Sequence, residues 1–196
     1  MEVITSHPAV REKSSLPGDF AIWIFIYAEL LVFGIFFLAY AFTRAQHVEL
    51  FNTFQKTLNR ESGAINTLVL ITSSYFVVMA VNAIRRNAAR RCSQWLTLAI
   101  LSGSVFVFLK LAEFSAKHAE GVTLSTNTFY MFYLSLTFFH FMHVLMGMVI
   151  LSVVTVKAYR GDYSAQQHTG VETGASYWHM VDLVWIVLFP LVYVLH

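Results

Sequence analysis

Five long apolar stretches, residues 20–42, 64–84, 95–114, 128–156 and 176–195, govern what this chain can fold into. Hydrocarbon about 30 Å thick takes roughly 20 apolar residues of helix to cross, and each stretch meets that length. Lipid offers no partner to a backbone N–H or C=O, so a crossing segment is either a helix or a strand of a closed barrel. Barrel strands need only about 10 residues, far fewer than these runs. The expectation is an all-α membrane bundle of five transmembrane helices. Residues 20–196 then form one membrane domain, preceded by a polar tail over residues 1–19.

Composition agrees. Hydrophobic residues make up 57% of the chain and charged residues 12%. A soluble domain carries about a quarter charged residues, so a water-soluble enzyme is excluded. A net charge of +2 over 196 residues is too small for a nucleic-acid footprint. The lone cysteine, Cys92, excludes a disulfide framework and any zinc or copper centre built on paired thiolates. The first residues mix Glu2 and Glu12 with Arg11 and Lys13, unlike a secretory signal. Leu16-Pro17-Gly18-Asp19 reads as a break followed by an N-cap aspartate at the mouth of the first span.

Orientation follows from basic residues in the connectors. Arg11 and Lys13, then Arg85, Arg86, Arg90 and Arg91, then Lys157 and Arg160 fall on one side; Arg44, Lys56, Arg60 and Lys117 fall on the other. Eight against four puts the N-terminus in the cytoplasm and the C-terminus in the periplasm.

Ionisable residues inside a span are costly and mark candidate sites. They are Glu29 in the first span, Lys110 and Glu113 in the third, His140 and His143 in the fourth, and His179 and Asp182 in the fifth. Lys110 and Glu113 lie three apart on one helix face, the spacing of an ion pair or a lipid-headgroup contact, and Glu113 can also reach Lys117. At helical rise, Glu29, His143 and Asp182 all lie within about 5 Å of the midplane, which suggests one buried polar cluster. A carboxylate at such depth is expected to stay neutral unless a cation lies alongside. Ser73, Ala80, Gly34, Gly103 and Gly147 read as small residues that let helices approach closely. The aromatic run from Phe129 to Tyr133, with Phe138 and Phe139, goes all round its helix and reads as lipid contact plus an interfacial belt. No nucleophile-and-base pair, phosphate loop or cofactor fingerprint is present.

The fifth span reads Tyr177-Trp178-His179-Met180-Val181-Asp182-Leu183-Val184-Trp185. This resembles the closing helix of subunit III of the haem-copper oxidases, with Met180 where phenylalanine is usual. His140, His143, Val144 and Gly147 resemble the family's H-x-x-H-V-x-x-G helix. Gly103, Phe106, Lys110 and Glu113 resemble its G-x-x-F-x-x-x-K-x-x-E helix. Glu29, Phe33 and Tyr40 resemble its opening acidic helix, and Ser73-Ser74 match in the second span.

The resemblance implies a non-catalytic accessory subunit of a bacterial inner-membrane respiratory complex, with no catalytic centre of its own. Such a chain binds phospholipid, while haem and copper sit only in the catalytic partner subunit, an oxidase or a nitric oxide reductase. It supports assembly, stability or proton uptake. The family's longer members carry two further N-terminal helices that hold lipid in a V. The compact connectors and Lys110 lean toward the short nitric-oxide-reductase accessory (NorE-like) branch rather than subunit III of bo-type quinol oxidases.

Two other functions use the same residues. A b-type cytochrome could ligate haem with His140, His143 or His179, although His179 lies about 10 Å from the midplane, off the depth of the other two. A stand-alone proton or ion channel could use Glu29 and Asp182.

Overall fold

The computed structural model describes residues 18–195. The tail expected over residues 1–19 therefore lies, but for Gly18 and Asp19, outside the described residues. Six helices follow in order: α1 (Phe20–Gln46), α2 (Val48–Gln55), α3 (Arg60–Arg85), α4 (Ala89–Ala119), α5 (Thr128–Arg160) and α6 (Thr169–Phe189). A wide π-helical turn, Pro190–Val194, continues α6. Five of these helices are long and apolar enough to cross a membrane, and the chain is a multi-pass membrane protein.

The helices outrun the apolar stretches. Hydropathy marks where lipid is tolerated, whereas caps mark where a helix starts and stops. Asp19, Asn59 and Asn127 cap α1, α3 and α5 by accepting from the N–H groups of Ala21, Ser62 and Tyr130. Gly161, with φ +81°, closes α5 in the left-handed conformation that a Cβ disfavours. Only three residues separate α3 from α4, and Asn87 takes the left-handed position there (φ +58°). Its side chain accepts from the Ala165 N–H, tying this turn to the α5–α6 connector.

Helices α3, α4, α5 and α6 pack in a closed cycle, each against the next and α6 back against α3. Helix α1 lies outside it, mainly along α6. Trp178 and Trp185, two turns apart on α6, point to the interior and are fully buried. A Cβ on Gly103 of α4 would come within 3.0 Å of Trp178, and one on Gly147 of α5 within 2.8 Å. Those two glycines admit the indole. Gly34 does not follow the expectation: nothing lies within 4 Å of its Cβ position, because it faces away from the other helices.

The aromatic run is likewise mostly internal. Phe129, Tyr130 and Tyr133 are buried, while Met131 and Phe138 are exposed. The cause is α2, a short amphipathic helix in the first connector. Its Phe51 is fully buried and stands edge-on to both Tyr40 and Phe129 at 5.3 and 5.5 Å. The N-terminal end of α5 is thus roofed by protein.

Candidate functional site

The ionisable residues of the spans form separate ties between helices. Lys110 of α4 is completely buried. Its ammonium donates to Glu113 Oε2 at 3.0 Å and to the Tyr193 hydroxyl at 2.6 Å. Tyr193 and Tyr133 each donate at 2.6 Å to the other oxygen of Glu113. The rings of Phe114, Tyr133, Trp185 and Tyr193 surround the ammonium at 5.2–5.4 Å. A desolvated cation needs an opposite charge, further hydrogen bonds and a polarisable wall. This site supplies all three.

Proline shapes the site. Pro190 has no N–H to return to the preceding helical turn, so regular α-helix is interrupted there. The chain widens until the Leu195 N–H reaches the Pro190 carbonyl at 2.9 Å. This wide turn presents Tyr193 to Lys110 and Glu113.

Glu29 and His143 form a second tie, between α1 and α5, with Oε2 and Nε2 3.0 Å apart. His143 Nδ1 donates to the Phe139 carbonyl at 2.8 Å, since a carbonyl can only accept. That leaves two protonation states for the pair. Either a neutral Glu29 donates to the bare Nε2, or an imidazolium donates to a carboxylate. Both carry no net charge, as apolar surroundings require. Phe33 and Phe139 stand against the imidazole at 5.3 and 4.7 Å.

Asp182 does not join Glu29 and His143 in one cluster. It lies 3.7 Å from His179 Nδ1, and that nitrogen also meets the Ser74 hydroxyl at 2.6 Å. Helical rise places all three at one depth, but His179, the partner of Asp182, meets Ser74 of α3, while Glu29 and His143 join α1 to α5. His140 is separate again. Its Nε2 donates to the Val181 carbonyl at 3.0 Å, and its ring stands near Phe106 and Trp185 at 5.8 and 5.1 Å. Lys117 pairs with Glu120 at 2.8 Å, not with Glu113.

Chemically, these groups hold helices together. Each of the three span histidines is engaged with a different helix partner, and they converge on no common point. Among the described residues no group of three or more His, Cys, Asp or Glu side chains is arranged to hold a metal ion.

Sequence reasoning missed Tyr133, Tyr193 and Trp185 as partners of Lys110. One signal was available. Glu113 and Tyr133 flank the α4–α5 connector at nearly equal distance, so antiparallel packing brings them to one depth. It also missed a tie at the opposite end, where Glu172 pairs with Arg85 at 2.8 Å and with His168 at 3.3 Å. Glu172 also accepts from the Gly18 N–H at 3.1 Å.

Against known proteins, residues 15–196 match the family model described as "Cytochrome c oxidase subunit III". The chain is 35% identical over 182 residues to cytochrome c oxidase subunit 3 of Thermostichus vulcanus, covering 88% of this chain and 84% of the relative. It is 35% identical over 177 residues to the protein of the same name from Synechocystis sp., covering 90% and 75% respectively.

Proposed function

The chain belongs to the cytochrome c oxidase subunit III family, and from that premise we propose that it is the non-catalytic, subunit III-type component of a respiratory haem-copper oxidase complex in a bacterial cytoplasmic membrane. One observation carries the reading beyond the family match. Every ionisable residue singled out in the spans is committed to a partner within the bundle, and none is arranged as a ligand or a reacting group. Its contribution is assembly, stability or proton uptake of the catalytic partner, with phospholipid rather than haem or copper as its own bound molecule. The basic connectors favour a cytoplasmic N-terminus and a periplasmic C-terminus.

The partner's substrate is the finer question. The names of both relatives favour an oxygen-reducing complex. Against them stand the short connectors and Lys110, the features that favoured the nitric-oxide-reductase accessory branch. We place the oxygen-reducing complex first.

Gentle detergent extraction with this chain as bait tests the reading. The expected result is co-purification with a many-helix haem protein that consumes oxygen, and a colourless chain once that partner is stripped away. Nitric oxide consumption by the same material moves the chain to the second branch. Recovery of only its own copies, or a haem spectrum from the isolated chain, removes the subunit reading.

A further inference from the structure

The α3–α4 hairpin holds a feature that none of the ties above uses. Where the two helices meet their three-residue turn, an open cleft of about 1020 Å³ lies against their side. Arg86 at the end of α3 and Arg91 in the first turn of α4 both line it, and neither side chain makes a hydrogen bond or ion pair among the described residues. Met79 and Leu98 line the same cleft, each seven residues deeper along its helix, which at helical rise is about 10 Å. Trp95 forms part of the wall, with its ring stacked on Phe76 at 5.8 Å, and the exposed Tyr159 of α5 stands at the edge.

From these residues we infer that the cleft is a binding site for an anionic phospholipid, its phosphate held between Arg86 and Arg91 and the start of an acyl chain lying along Met79 and Leu98. The order of chemistry with depth is the argument. Two cations whose side chains are unpaired among the described residues lie at the end of the helices. Trp95 follows with the polar Asn82 and Gln94, and Met79 and Leu98 lie below beside Thr97. An anionic amphiphile, with its phosphate, ester and acyl groups, presents the complementary order. Guanidinium groups suit phosphate oxygens because their N–H donors are arranged as a planar fork. Free phosphate matches the arginines alone and leaves the apolar floor uncovered. An acidic protein segment matches the charge but not the floor. The inference deepens the phospholipid part of the proposed function and rests on it only for the chain lying in a lipid bilayer.

Native mass spectrometry of the complex, exchanged into phosphatidylglycerol or phosphatidylcholine, tests the site. Wild type should retain phosphatidylglycerol preferentially. The double variant R86Q/R91Q should lower that retention about ten-fold. R86K/R91K keeps the charge and should keep most of the binding, and R90Q, which removes a charge outside the cleft, should leave retention unchanged. Equal retention of the two lipids by wild type overturns the inference, as does equal loss in R90Q. Displacement of the lipid by millimolar inorganic phosphate overturns it as well. A photo-crosslinker at Gln94 that labels a protein and no lipid does the same. These outcomes leave the subunit reading standing, which falls only if the haem partner fails to co-purify.

Discussion

Two polar ties within the spans of this bundle are built to opposite specifications. Lys110 and Glu113 sit inside the four-helix cycle, held by two tyrosine hydroxyls and walled by four rings. Glu29 and His143 share one hydrogen bond at the seam of a helix that barely enters the core. Only 11% of the most apolar stretch of α1 is buried, against 50% for the last span. The first tie is over-determined and fixes where three elements meet. The second can be lost or repositioned with little else disturbed. The sequence places Glu29 and His143 near the midplane and pairs Lys110 with Glu113 by their spacing on one face; the number of independent partners is what separates the two ties.

The sharpest way to break the contrast is Lys110→Met. It strands Glu113 without its cation, and orphaning one member of a buried pair costs about 3–5 kcal/mol. Loss of folded protein, read by thermal unfolding in detergent, is the expected result. The double change Lys110→Met/Glu113→Leu should recover most of that loss, because two apolar groups leave no charge uncompensated. A single variant as stable as wild type would dissolve the comparison.

Gly147→Ala should be next. Its new methyl meets the Trp178 ring at 2.8 Å, and overpacking of this kind costs about 1–3 kcal/mol. Gly34→Ala on α1 is the control and should stay within about 1 kcal/mol of wild type, since its site is open. Unfolding temperatures of the two variants measure core against periphery directly.

Tyr193→Phe removes one acceptor from Lys110 and one donor from Glu113, for a loss of about 1–3 kcal/mol. The buried cation still has Glu113, so the protein should fold with a lowered unfolding temperature.

The smallest effects belong to Glu29. Glu29→Gln keeps a donor for His143 Nε2 and should change stability by less than about 1 kcal/mol, with partner turnover preserved. Glu29→Ala loses the tie and should loosen α1, seen as faster amide exchange in that helix. A fully assembled Glu29→Gln complex without turnover would show that the residue carries protons, and the structural account of this tie would fail.

Much of the fold was legible because lipid imposes a length that hydropathy reads directly. The five spans appear in order, and Asp19 caps α1 as its position suggested. What escaped depended on which side of a helix meets protein. Helix α5 is apolar all round, so no stripe told its buried side from its lipid side. Phe129 is inside because Phe51 of α2 covers it, whereas Phe138, on the opposite face of the helix, is exposed. The same holds for glycine: Gly34 and Gly147 are identical in sequence terms, and only the position of Trp178 distinguishes them. At the candidate sites, spacing along one helix located Lys110 with Glu113. It could not supply Tyr193, which lies 83 residues away and depends on the Pro190 turn.

That turn also sets an order on biogenesis. Ribosomes deliver α3, α4 and α5 to the membrane before α6, so Lys110 is inserted while its tyrosine partner is still unmade. The four-helix cycle closes only when α6 arrives with both core tryptophans and Tyr193. Until then Lys110 has Glu113 on its own helix but neither the Tyr193 hydroxyl nor the Trp185 ring, so α4 presents a half-satisfied polar pair. A chain stalled before Pro190 should therefore be cleared faster than one carrying a conservative change anywhere in α1.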